Sequence, residues 1–118
     1  MNEQAAQLAA ARRDWQLYHT LSEELLKFIS QEDIDEFLSL TQQRTALVER
    51  MKKNPQTEAY RKTAECQALI EKIKPLDMQL IYKAKSWLNK SRRQNATVHA
   101  YDLTASINPI GNLFNKRY

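Results

Sequence analysis

The sequence predicts an all-α protein: an antiparallel helical hairpin, then a long third helix kinked near Pro75, together an elongated three- to four-helix bundle with a C-terminal tail. Three observations carry this. One glycine and three prolines serve 118 residues, so the chain has few places to turn. Apolar side chains recur every three or four positions as far as about Val98, the period of a helix buried along one face. Beyond that point the pattern changes, and AYDLTASINPIGNLFNKRY holds Pro109, Gly111 and spaced apolar residues on a basic background. The expected division is a bundle over residues 1–100 and a basic, partly apolar tail over 101–118.

The first helix is expected over about residues 3–29. Leu8, Ala11, Trp15, Tyr18, Leu25 and Ile29 form one stripe, with Ser22 in the missing position beside Leu21. Ser30, followed three residues later by Asp33, has the pattern of an N-cap for a second helix over about 33–53. The acidic cluster Glu32, Asp33, Asp35 and Glu36 suits the positive end of that helix. Ile34, Phe37, Leu38, Thr41, Leu47, Val48 and Met51 line one side of it, with Glu36, Gln43, Glu49 and Arg50 mostly opposite. Asn54-Pro55 ends it, because the residue before a proline is pushed out of the helical region. A connection this short favours antiparallel neighbours.

A third helix is expected over about 57–99, capped by Thr57 or Asn54. Its seam holds Ala64, Leu69, Ile70, Ile73, Leu76, Leu80, Ala84, Trp87 and Leu88, extended by Ser91 and Val98. Pro75 falls inside it. An interior proline costs roughly 3 kcal/mol through a lost hydrogen bond and a clash with the preceding turn. The apolar period continues through Ile73, Leu76 and Leu80 without a phase jump, so a kink is expected there and not a loop. This helix is long for its partners, and the part after about Trp87 is expected to project beyond the second helix. Trp87 and Leu88 therefore have two readings, as core or as a partner surface.

Composition narrows the function. The chain is 42% hydrophobic and long enough for one modest core. No apolar run approaches the roughly 20 residues of a bilayer span. The N-terminal segment carries Arg12 and Arg13 after its small apolar residues, the reverse of a secretory signal. A cytoplasmic protein without membrane insertion is expected. Cys66 is the single cysteine, so neither an internal disulfide nor a multi-cysteine zinc site can form. Among Ala64, Leu69 and Ile70 it suits use as a small hydrophobe. His19 and His99 stand far apart as surface or rim residues, and no metal or cofactor is expected. The carboxylates at helical spacing lie on solvated faces, and a single glycine excludes a glycine-rich phosphate loop; no enzyme activity is expected.

Charge is uneven. From Lys83 onward seven lysines and arginines stand against Asp102 alone, so this third carries +6 and the remainder −2 of the formal +4. Lys90-Ser91-Arg92-Arg93 could neutralise phosphates, and a nucleic-acid binder would then show steep salt dependence. No helix-turn-helix spacing, stacking aromatic set or zinc pattern accompanies the cluster. A solvated helix face is the preferred reading, and no nucleic-acid partner is expected.

Against this background EDIDEFLSLTQQRTALVERM, with its acidic turn, Gln43-Arg44 and closing Leu47-Val48, resembles the second helix of the small flagellar export chaperones. LIEKIKPLDMQLIYKAKSWL is similar to their long third helix. The ending, with Ala100-Tyr101 and then Gly111 through Arg117, resembles their basic tails. The compact length resembles the FliT-like kind, whose clients are similar to the filament cap protein. The tail looks more like that of the FlgN-like kind, which serves hook-filament junction proteins, so the client stays open.

The resemblance implies a cytoplasmic chaperone that binds the C-terminal amphipathic segment of a cap or junction protein, prevents its premature assembly and delivers it to the type III export gate. Export ATPase components are a further implied partner. A groove between the second and third helices, lined by Leu47, Met51, Leu76, Leu80, Trp87 and Leu88, would suit such a client, with Met51 and Met78 giving adaptable contacts. Tyr101 matches the family's gate-docking tyrosine by its place after the long helix. In the tail, Ile107, Ile110, Leu113 and Phe114 are apolar enough to fill the client groove themselves. Two other classes remain open at this stage: an assembly protein that self-associates, as a homodimer, through the third helix, and a non-specific nucleic-acid binder.

Overall fold

The structure, a computed structural model, describes residues 3–94. The all-α bundle expected from the sequence is what these residues form, with no strand among them: α1 (Glu3–Ser30), α2 (Ile34–Lys53), a short α3 (Thr57–Arg61) and α4 (Ala64–Gln94). The described residues measure 56 × 26 × 22 Å. At about 1.5 Å per residue the three long helices account for that elongation.

Cross-helix hydrogen bonds fix the directions. The Asn54 side-chain amide at the end of α2 donates to the Gln7 carbonyl near the start of α1 at 2.9 Å, so α1 and α2 are antiparallel. Arg12 of α1 grips Glu65 at the start of α4, and Lys90 near the end of α4 reaches Glu32 in the α1/α2 turn. α4 therefore runs parallel to α1 and back along α2. α1 is the shared member: α2 and α4 both lie along its length, whereas backbone approach between α2 and α4 is sparse.

The first turn departs from expectation by a few residues. Ser30 ends α1 and caps nothing; the N-cap of α2 is Asp33, whose carboxylate accepts from the Glu36 N–H at 3.3 Å. α1 closes in the geometry that helices usually reserve for a glycine: Asp33 N–H donates to Phe28 O and Glu32 N–H to Ile29 O, with Glu32 at φ 57. With no glycine available there, a glutamate takes the left-handed position.

The second turn differs too. Asn54 closes α2 through its backbone N–H to Met51 O, and its side-chain oxygen accepts from Gln56 N–H at 2.9 Å. Thr57 donates its hydroxyl back to Met51 O at 2.6 Å, while Gln56 precedes α3 without a side-chain cap. Neither Thr57 nor Asn54 caps a third helix. The segment expected as one helix from about residue 57 is divided by Lys62 and Thr63. Thr63 causes the restart: its hydroxyl oxygen accepts from Cys66 N–H at 3.1 Å, the bond by which a threonine opens a helix. α4 then continues through Pro75. Both Pro75 and Glu71, the residue four positions earlier whose carbonyl loses its partner, are exposed, which leaves that carbonyl to water.

Trp15, Tyr18, Leu25, Phe37, Met51, Cys66, Ile73 and Leu80 are all fully enclosed. Trp15 and Tyr18 meet edge to face, centroids 6.1 Å apart, and the Trp15 indole N–H donates to Thr57 O at 3.4 Å. Cys66 is enclosed as a small hydrophobe, and burial raises its thiol to about 12.

Candidate functional site

The seam between α2 and α4 contains the residues expected to line a groove, but in this conformation it is closed. Leu47, Met51, Leu80 and Leu88 are buried core residues. Leu76 and Trp87 are half-buried at its edge. The expected groove is thus filled by the bundle's own side chains, because α4 turns Ile70, Ile73, Asp77, Leu80, Ala84 and Leu88 inward as one line. Projection beyond the second helix also begins later than Trp87, since Lys90 is still level with Glu32. Tyr101 and the tail residues Ile107, Ile110, Leu113 and Phe114 lie outside the described residues, as do Val98 and His99.

What the seam does hold is an ion pair in the middle of the core. Arg44 of α2 is 2% exposed and Asp77 of α4 is 5% exposed, so both charges have left water. Arg44 Nη1 donates to Ser22 Oγ at 2.8 Å and, at a longer 3.4 Å, to Asp77 Oδ1. Ser22 in turn donates to Tyr18 O at 2.8 Å, and the guanidinium stands over the Tyr18 ring at 5.2 Å. The network is incomplete: Arg44 Nη2 and Asp77 Oδ2 are buried with no hydrogen-bond partner. A half-satisfied polar network costs more than an apolar one of the same shape. Burial pushes the Asp77 carboxyl up to about 7, outweighing the downward pull of Arg44.

This pair was legible and missed. Arg44 sits in the same stripe as Thr41, Leu47, Val48 and Met51, and Asp77 falls between Ile73 and Leu80 on the inward line of α4. A charge at a stripe position is a signal of its own, because a buried charge usually requires a partner. Ser22, at the empty place in the first stripe, accepts the shorter of the two Arg44 hydrogen bonds.

Outside the core, the ends of the bundle are tied by surface pairs. Arg12 holds Glu65 through two bonds of 2.9 and 3.0 Å, and Tyr60 donates its hydroxyl to the same carboxylate. The Arg12 and Tyr60 bonds lower the Glu65 carboxyl to about 2. Asp14 receives Arg50 at 2.8 Å, and half-buried His19 lies 3.7 Å from Glu23. No cluster of His, Cys, Asp and Glu that could hold a metal occurs among the described residues. No helix among them is long and apolar enough to cross a membrane.

No match was found among curated proteins or among solved structures. A family model does match, over residues 12–103, a span that takes in most of α1, both turns, the Arg44/Asp77 seam and all of α4. That model describes the flagellar protein FliT, and this chain belongs to the FliT family of flagellar export chaperones.

Proposed function

We propose that this chain binds the C-terminal amphipathic segment of a flagellar export client, a filament-cap or hook-filament junction protein, in the cytoplasm and passes it to the type III export gate. The observation that carries the reading is the α2/α4 seam. Its two helices each lie close along α1 but bring their backbones less near to each other, and the charged pair between them has two unsatisfied atoms. Separation of α4 from α2 would uncover Leu47, Met51, Leu80 and Leu88 next to half-buried Leu76 and Trp87, a strip of the kind an amphipathic helix lies along. Opening would also let water or a client group satisfy Arg44 Nη2 and Asp77 Oδ2, offsetting part of its cost.

The remaining assignments belong to the same proposal. Tyr101 docks the loaded chaperone on the export gate, where the export ATPase components are further partners. Ile107, Ile110, Leu113 and Phe114 compete with the client for the seam when it opens; a tethered competitor acts at an effective concentration of about millimolar. Titration calorimetry with synthetic C-terminal segments of a cap protein and of a junction protein tests this. One of the two should bind the full chain, and removal of residues 101–118 should tighten that binding. Failure of both segments to bind the full and the shortened chain would overturn the client reading; unchanged or weaker affinity after truncation would remove the tail's role alone.

A further inference from the structure

The solvent side of α4 carries a second apolar feature, separate from the seam. Met78, Ile81 and Tyr82 are 72%, 38% and 71% exposed, and their spacing of three and four residues makes them one strip. Lys85 continues the strip a turn later. Tyr82 also forms one wall of a cleft of about 190 Å³ between α4 and the α1/α2 turn, bordered by Lys83, Trp87, Lys90 and Glu32. Lys90 is held by Glu32 at 3.0 Å and Lys74 by Glu71 at 3.6 Å. Lys83 and Lys85 have no carboxylate at ion-pair distance among the described residues. From Lys72 to Gln94 the only acid in the sequence is Asp77, which is buried.

We propose that this face docks an acidic amphipathic helix of another protein, with apolar side chains against Met78, Ile81 and Tyr82, one of them in the cleft beside Trp87, and carboxylates against Lys83 and Lys85. Both halves of the surface are used by such a partner. The apolar strip supplies burial, and the two lysines without acidic partners fix polarity, because the partner's acids must lie over the C-terminal half of α4. An anionic bilayer fits less well: the strip is one turn long, and exposed Glu71 and Glu32 bound it at either end. A nucleic-acid backbone would leave the three apolar residues unused. The proposal stands apart from the client reading, which concerns the buried face of α4; half-buried Trp87 borders both.

The probe is a synthetic helix of about twenty residues with leucines at i, i+3, i+4 and i+7 flanked by glutamates, added to the full chain and followed by fluorescence anisotropy and amide NMR. A twin with lysines in place of the glutamates, phosphatidylcholine vesicles containing phosphatidylglycerol, and a DNA duplex complete the set. The acidic helix should bind, weaken with salt and shift amides over residues 78–87. The double variants Lys83→Glu with Lys85→Glu, and Met78→Ser with Tyr82→Ser, should each weaken it by about tenfold or more. These positions are exposed or half-buried, and circular dichroism of each variant checks that the fold is kept. The proposal is overturned if the acidic helix does not bind, if the lysine twin binds equally, if the shifts fall instead on Leu47 and Met51 of α2, or if only vesicles or DNA bind. Variants that lose the acidic helix yet keep a client segment separate this surface from the seam.

Discussion

Arg44 Nη1 lies 2.8 Å from Ser22 Oγ and 3.4 Å from Asp77 Oδ1, so one guanidinium on α2 touches both other long helices. Breaking this arrangement on one side leaves an uncompensated buried charge. Arg44→Met alone should cost about 3–5 kcal/mol in urea unfolding, while Arg44→Met combined with Asp77→Leu should be neutral or stabilising by about 1–4 kcal/mol. If the client seam opens through this pair, the double variant should also bind a client segment more weakly. A single variant as stable as the parent would mean that losing Arg44 does not leave Asp77 charged and buried.

Asp77 gives the protein a pH dependence opposite to that of an ordinary salt-bridged acid. Its folded-state value of about 7 exceeds the usual 3.8 because burial penalises the charge, so the folded state binds the proton more tightly than the unfolded one. The stability tied to this group is full below about pH 4 and is lost as pH rises towards 7. Arg44 from α2 and Tyr18 from α1 are the groups that face it. Unfolding midpoints should therefore fall between pH 5 and pH 8, and Asp77→Asn should flatten that slope. Glu65 works the other way: held near 2 by Arg12 and Tyr60, it loses its contribution as pH falls below the ordinary carboxylate range.

Trp15 and Met78 separate core from surface. Trp15→Ala removes a fully enclosed indole that also donates to Thr57 O and should cost about 3–5 kcal/mol. Met78→Ala, on a residue 72% exposed, should stay within about 0.5 kcal/mol. Thermal unfolding of the two variants against the parent measures the difference.

Glu32 holds a left-handed conformation that costs a non-glycine residue about 1–2 kcal/mol. Glu32→Gly removes that strain and also the exposed bridge to Lys90, which is worth about 0–1 kcal/mol. The variant should melt slightly higher than the parent. A clear drop would show that the Glu32/Lys90 tie matters more than its exposure implies.

The helices were legible because their stripes keep one phase, even across Ser22, Arg44 and Asp77, and α1 and α2 end within a few residues of the expected places. The turns were less so. Ser30 and Asp33 are both good cap residues, and local chemistry alone does not choose between them; the left-handed Glu32 decides it by extending α1 to Ser30. The break at Lys62 and Thr63 carries no proline or glycine, so nothing in the composition marks it, and only the Thr63 bond to Cys66 N–H shows why it is there. The site was the hardest part. Leu47, Met51, Leu80 and Leu88 are apolar whether they line a groove or fill a core, and sequence periodicity cannot distinguish the two. Arg44 and Asp77 could have been found, being charges in apolar register. Ile81 and Tyr82 could not, since the face α4 leaves open depends on how tightly it rolls onto α1.

Cys66 gives the molecule a built-in reporter. A thiol wholly enclosed at the start of α4, with ionisation held up near 12, reacts slowly with alkylating reagents unless the surrounding helices part. Labelling kinetics on the unmodified chain would thus time its breathing, and acceleration on adding a client segment would register α4 leaving its neighbours without a single engineered residue.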